Sequence, residues 1–127
     1  MSNAVVSRLT LVAALSLTAF AAQAADVTVK CEKRSSRSSV SVDGNNLATG
    51  SYRAMAQSGT ATATSGFDTT VGDEVGFDFD SSANDIAAGA TAIPAGFIVD
   101  GRVKGYLVNT AGQRVTPVVT ATCRVRK

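Results

Sequence analysis

The residues most able to do chemistry lie in the stretch 78–85, DFDSSAND, where oxygen-bearing side chains recur at alternate positions. Carboxylate and amide oxygens at this spacing open the calcium-binding loop of EF-hand proteins. The chain departs from that loop where it is strict, because Ala83 replaces the tight-turn glycine and Gly89 replaces the bidentate glutamate. The sequence therefore predicts no EF-hand. It leaves a looser calcium site as a hypothesis, with the candidate ligands Asp78, Asp80, Asn84 and Asp85.

The same stretch also has the alternation of a β-strand. Val75, Phe77 and Phe79 share one face, and Asp78 and Asp80 share the other. On such a strand both aspartates point outward, where they pair with lysines or arginines of a neighbouring strand. This pattern favours a solvated strand face over a cation site.

Two absences restrict the possible chemistry. The chain has no histidine, so it cannot build a Ser-His-Asp or Cys-His nucleophile or an imidazole metal site. It has no tryptophan, which is the best aromatic platform for cationic ligands. A carboxylate pair of the kind used in glycoside hydrolysis is the remaining catalytic route, and nothing in so short a chain indicates a cleft around one. We therefore expect the protein not to be an enzyme, and we expect it to need no cofactor apart from the hypothetical calcium.

The first 24 residues are predicted to be a cleaved signal peptide. Arg8 supplies a positive charge, residues 9–22 form an uncharged and mostly apolar run, and residues 22–24, AQA, are a small-x-small cleavage site. The alternative is a membrane anchor, but the apolar run is shorter than a spanning helix requires. Residues 25–127 are then one small domain, periplasmic or secreted and without a membrane span.

Two cysteines, Cys31 and Cys123, lie near opposite ends of this domain. In an exported protein such a pair predicts a disulfide. Free thiols or metal ligands are the alternative, but no third ligand-type residue accompanies either cysteine. Each cysteine is in phase with the apolar residues of its segment, so we expect the bridge to point into the core. It would join the first and last strands, either directly or across two sheets.

Alternation with a period of two runs through most of residues 25–127, without a convincing helical segment. The spacing Leu47-x-x-Gly50-x-Tyr52 resembles the tyrosine corner of immunoglobulin-like and fibronectin-type sandwiches. About seven strands in about 100 residues predict an all-β fold, a small antiparallel β-sandwich of immunoglobulin-like type. A small barrel is the alternative.

The alternation and the turn residues also locate the individual elements. A flat edge strand is expected at 58–65, where only small side chains alternate. A long loop with one short helical turn is expected at 81–94. The remaining strands are predicted around 27–31, 40–42, 75–79 and 115–125, a hairpin at 97–104, and turns at 43–46 and 109–113.

Acidic and basic residues are segregated along the chain. Residues 38–100 contain eight acids and a single base, Arg53, whereas residues 101–127 contain six bases and no acid. If Cys31 bonds Cys123, the basic residues near both ends of the domain come together. The predicted basic surface consists of Lys30, Lys33, Arg34, Arg37, Arg124, Arg126 and Lys127.

This charge pattern predicts an exported, non-catalytic binding or structural module. It would contact polyanionic material, namely lipopolysaccharide, acidic polysaccharide or DNA, through the basic surface. The simpler interpretation is a solvated face that prevents edge strands from pairing, because no aromatic residue interleaves with these bases. A calcium-stabilised or self-assembling surface or fibre component is the alternative function.

Overall fold

Ten β-strands and one short helix make up the described part of the chain, residues 24–127 of a computed structural model. Residues 1–23, which contain nearly all of the predicted signal peptide, lie outside the described residues. The helix α1 is Ala83–Ala87. The strands are β1 Asp26–Arg34, β2 Arg37–Asn45, β3 Ser51–Ser58, β4 Ala61–Thr64, β5 Asp68–Thr69, β6 Val75–Asp80, β7 Thr91–Ala92, β8 Arg102–Asn109, β9 Val119–Thr122 and β10 Arg124–Val125.

The strands form two sheets. Sheet A has the order β10-β1-β2-β6-β7, and sheet B has the order β4-β3-β8-β9, with β5 paired to β3. Neighbouring strands are antiparallel except at the two edges of sheet A, where β10 lies parallel to β1 and β7 parallel to β6. Within residues 24–127, no helix is long and apolar enough to cross a membrane.

The apolar faces of the two sheets meet in one core, as the alternation predicts. Val42 of β2 and Phe79 of β6 line it from sheet A, and Val103 and Leu107 of β8 line it from sheet B; all four are fully buried. Phe97, from the segment before β8, fills the space between them and is also almost fully buried. The all-β sandwich is confirmed, and the two sheets do not close into the alternative barrel.

The predicted tyrosine corner is present at the start of β3. The Tyr52 hydroxyl donates a hydrogen bond to the Ala48 carbonyl at 2.7 Å, four residues upstream. Tyr52 and Leu47 are both buried. The hydroxyl therefore satisfies a backbone acceptor in the connection that carries the chain from sheet A to sheet B.

The small-residue edge strand predicted at 58–65 is shorter than expected and covers Ala61–Thr64, because Ser58 ends β3 and a turn follows it. β4 pairs with β3 alone and forms one edge of sheet B. The predicted loop at 81–94 contains α1, which is the expected helical turn, together with the two-residue strand β7, which the pattern did not predict.

The predicted turn at 43–46 begins later than expected. β2 continues to Asn45, with Asp43 opposite Thr28 and Gly44 opposite Val27, because β1 is long enough to pair with the whole segment. The chain turns at Asn46, which takes a φ of 55°, a left-handed conformation that asparagine tolerates better than most residues.

The predicted hairpin at 97–104 has its turn but lacks its first strand. Asp100 and Gly101 have φ values of 56° and 65°, as a two-residue hairpin turn requires, but only Val99 bridges to Arg102. The hydroxyls of two buried serines accept the hydrogen bonds that a neighbouring strand would otherwise accept. The Ile98 and Val99 amides donate to the hydroxyls of Ser38 and Ser58 at 3.4 and 2.7 Å. Residues 97 and 98 are therefore buried coil, whereas Val99 is 41% exposed and forms an isolated bridge.

The single long strand predicted at 115–125 is wrong. β9 pairs with β8 in sheet B, whereas β10 pairs with β1 in sheet A. The chain changes sheets at Cys123, which is 6% exposed and forms the predicted disulfide with Cys31, with a Cα–Cα distance of 4.6 Å. Pro117 lies before β9 and outside any strand, as a residue without an amide hydrogen should.

Candidate functional site

The parallel pairing of β1 with β10 brings the two basic segments together. Glu32 lies opposite Arg124 and Lys33 opposite Val125, and the Arg126 amide donates to the Lys33 carbonyl at 2.8 Å. Paired residues of neighbouring strands share a face. The outward face of this edge therefore combines bases that are more than 90 positions apart in the chain. The disulfide between Cys31 and Cys123 holds the two segments next to each other.

We call the cations at this edge of sheet A the edge cluster; they are Lys30, Lys33, Arg34, Arg124, Arg126 and Lys127. Lys33 alternates onto the opposite face of β1 from Glu32. Glu32 lies within it and partly neutralises it. Arg126 Nε lies 2.6 Å from a Glu32 carboxylate oxygen, and Arg34 Nη2 lies 3.6 Å from the other. Lys30, Arg124 and Lys127 are exposed and make no ion pair with the described residues. These three side chains are the most available to an external anion.

Arg37, which the sequence grouped with these bases, is engaged elsewhere. Its Nε and Nη2 atoms donate to the two carboxylate oxygens of Asp80 at 2.9 and 2.7 Å. Nη2 also donates to Asp85 at 2.9 Å. The pKa of Arg37 is raised, chiefly by its hydrogen bond with Asp80. Two carboxylates thus offset its charge, and Arg37 is structural in this arrangement.

Asp80 differs from the outward, solvated position predicted for it. It is on the outer face of β6, as the alternation requires, but it is only 6% exposed because Arg37 and the segment before α1 cover it. The hydrogen bond from Arg37, aided by the Ser82 and Ser81 amides, lowers the pKa of Asp80 below its ordinary value of 3.8. The pairing with a neighbouring-strand arginine is as expected, but solvation of this carboxylate is not.

The candidate cation ligands do not converge on one point. Asp80 and Asp85 meet on the Arg37 guanidinium, so the protein's own cation lies between them. Asp78 is exposed, and its pKa is raised by partial burial and then by the charges of Asp43, Asp80 and Asp85. Asn84 lies in α1. No group of three or more His, Cys, Asp or Glu side chains in residues 24–127 is arranged to hold a metal ion.

The calcium hypothesis is decided by a melting titration. A cation that binds only the native state must raise the melting temperature, by an amount set by its concentration relative to its Kd. Because Arg37 holds Asp80 and Asp85, we expect millimolar calcium to leave the melting temperature within one degree of the value in EDTA. A saturable rise that magnesium does not reproduce would establish a calcium site.

A second surface, which sequence reasoning missed, lies on the outer face of sheet B. Arg53 of β3 is opposite Val108 of β8, and Val108 bridges to Arg114 on the following segment. These three side chains therefore form one row across the sheet. In the next row Met55 is opposite Tyr106. An open groove of about 930 Å³ runs over these rows, lined among others by Arg53, Met55, Thr64, Phe67, Tyr106, Val108, Arg114 and Val118.

Phe67 holds one of these arginines in place. The Arg53 guanidinium carbon lies 4.0 Å from the centre of the Phe67 ring, a cation–π contact. The Arg53 Nε atom is buried and has no hydrogen-bond partner among the described residues. In the sequence Arg53 is a lone base in an acidic segment, and Phe67 belongs to no predicted strand. Only the pairing of β3 with β8 could have indicated this surface.

Comparisons with known proteins assign no family to the chain. No protein-family model matches it, and no curated protein matches it in sequence. Among solved structures it is similar to a β-glucosidase from Listeria innocua in complex with glucose, at 12% sequence identity and a TM-score of 0.36. The likeness covers 79% of this chain and 16% of that chain. So low a TM-score supports no conclusion about activity.

Proposed function

We propose that this chain is an exported, non-catalytic binding module that contacts polyanionic envelope or extracellular material through the edge cluster. The observation on which the proposal depends is the pairing of β1 with β10. It brings six cationic side chains from the two ends of the domain to one edge of sheet A, where Glu32 pairs with only two of them, Arg34 and Arg126. Such a patch attracts polyanions and accelerates their association.

Two features support a module that binds without catalysing. Both thiols are joined in the disulfide, and the chain has no histidine, so a thiolate nucleophile and an imidazole base are missing. Both oxygens of the buried carboxylate Asp80 accept hydrogen bonds from Arg37, which holds this group in a structural role. A disulfide also suggests an oxidising compartment, which fits the periplasm or the extracellular space.

Retention on immobilised heparin tests the proposal. We expect the wild-type protein to elute at a salt concentration well above that of a neutral protein of equal size. The K30Q/R124Q variant should elute earlier, because each lost phosphate-like or sulfate contact reduces the release of counterions. Neither residue makes an ion pair in the fold, so the variant should melt like the wild type.

The R102Q/K104Q variant provides the matched control. It removes the same charge from exposed positions of β8 in sheet B, away from the edge cluster. If K30Q/R124Q and R102Q/K104Q lose retention equally, binding to heparin depends on the net charge of the protein and not on the edge cluster. Elution of the wild-type protein with the neutral standard would end the proposal.

A further inference from the structure

We infer that the groove on sheet B is a second binding site, which takes the carboxylate groups of an acidic polysaccharide between Arg53 and Arg114. This inference does not depend on the edge cluster, which lies on sheet A. It starts from two guanidinium groups that the fold leaves without acceptors. Neither arginine side chain takes part in an ion pair or a hydrogen bond among the described residues.

Arg53 is the more informative of the two. Its Nε atom is shielded from solvent, so its hydrogen is satisfied neither by water nor by the protein. The burial of Nε leaves the two terminal nitrogens as the donors that a ligand can reach. Their parallel N–H groups match the two oxygens of a carboxylate. The contact with Phe67 already restricts the Arg53 side chain, which lowers the entropy lost on binding.

The register places the second arginine at a useful distance. Arg53 and Arg114 are each one strand away from Val108, so their Cα atoms are about 10 Å apart. Val108 faces outward with Tyr106, yet it is only 8% exposed and does not belong to the core between the sheets. It forms an apolar floor between the two cations.

The rest of the groove has the mixed character that a sugar ring needs. Tyr106 and Met55 are half-buried next to Val108, and Val118 is 40% exposed. These side chains offer apolar surface to the C–H face of a sugar, whereas the hydroxyl of Thr64 at the rim can bond the hydroxyl groups of the ligand. The groove is open, so a polymer can lie along it and leave at both ends.

The same geometry disfavours nucleic acid as the occupant. Single-stranded nucleic acid binds by stacking its bases on exposed aromatic faces. Phe67 is 46% exposed, but Arg53 lies over its ring. The positive charge is also sparse and separated by apolar side chains. Such spacing suits a polysaccharide with one carboxylate per sugar better than a densely charged phosphate or sulfate chain.

Calorimetric titration with oligogalacturonate in calcium-free buffer tests the inference. We expect saturable binding to the wild-type protein, and at least a tenfold weaker affinity for R53Q/R114Q, since two charge-assisted contacts are lost. The R53K/R114K variant should fall between them, because lysine keeps the charge and lacks the fork. The fully methyl-esterified oligomer should not bind, since it keeps the sugar and lacks the carboxylate.

The R102Q/K104Q variant controls for net charge, because it removes two positive charges from residues of β8 that do not line the groove. It should bind oligogalacturonate within about twofold of the wild type. If R53Q/R114Q does not fold, R114Q alone replaces it, because Arg114 is exposed and supports no packing. Three results would overturn the inference: no binding by the wild type, equal binding of the esterified oligomer, or tighter binding of heparin or single-stranded DNA through the same arginines.

Discussion

Replacement of both cysteines by alanine, C31A/C123A, is expected to lower the free energy of unfolding by about 4 kcal/mol. The bridge joins residues separated by 92 positions, and the entropy that it removes from the unfolded chain grows with the length of that loop. For a domain of about 100 residues, a loss of this size is a large part of the total stability. Urea denaturation followed by circular dichroism measures it.

The local structure explains why the native state also depends on this bond. Beyond Cys123 the chain is held to sheet A by only two residue pairs of β10 and the hydrogen bond from the Arg126 amide. Without the disulfide we expect this end to detach from β1 and the edge cluster to disperse. Retention on heparin should fall in C31A/C123A at temperatures where the rest of the domain is still folded.

Reduced wild-type protein is the control for this variant. It should show the same stability, since it lacks the same cross-link and keeps both sulfur atoms. If the free energy of unfolding falls by less than about 1 kcal/mol in both proteins, the two ends of the unfolded chain must already lie close together without the disulfide.

The features of the fold that could be predicted are those fixed by short-range patterns. Alternation at Val75, Phe77 and Phe79 gave the inward face of β6 correctly, because side chains of a strand alternate whatever the neighbouring strands are. The tyrosine corner and the disulfide were equally predictable, since each follows from residues whose pairing has few alternatives.

The wrong predictions share a different cause, which is hydrogen-bond partners that lie far away in the sequence. The first arm of the hairpin at 97–104 is apolar enough for a strand, but Ser38 and Ser58 take up its amides. Neither serine is near that segment in the sequence. The change of sheet at Cys123 likewise depends on β1 being available as a parallel partner, and alternation continues through the crossing without a break.

The candidate surfaces were predictable to different degrees for the same reason. The edge cluster followed from charge segregation and one disulfide. The groove on sheet B requires that β3 lie beside β8 with Arg53 opposite Val108, a register that only the whole sandwich determines. Charge counts along the chain assigned Arg53 to an acidic segment and thus concealed it.

Replacement of Asp80 by asparagine is expected to lower the free energy of unfolding by about 2–3 kcal/mol, because the bidentate, charge-assisted pair with Arg37 is lost at a buried position. Asp85 provides the matched control. It contacts the same guanidinium through one hydrogen bond and its side chain is 48% exposed, so D85N should cost less than about 1 kcal/mol. Chemical denaturation at neutral pH measures both variants.

The pH dependence gives this prediction a second readout. The pKa of Asp80 in the folded state is below its ordinary value of 3.8. The ionised carboxylate therefore contributes fully to the free energy of unfolding above about pH 3.8, and this contribution is lost as the pH falls through the folded pKa. The stability difference between wild type and D80N should therefore shrink below about pH 3.8. Asp78 has a raised pKa, so its ionised form is disfavoured by the fold, and D78N should be neutral or stabilising at pH 7.

A double-mutant cycle separates the pair from the burial of Asp80 itself. If the Asp80 carboxylate is tolerated only because Arg37 neutralises it, R37Q alone should be more destabilising than R37Q combined with D80N. The single variant leaves a buried carboxylate without its cationic partner. Additive effects in this cycle would show that Asp80 and Arg37 are not energetically coupled. In that case solvent, and not Arg37, would be what keeps Asp80 ionised next to Phe79.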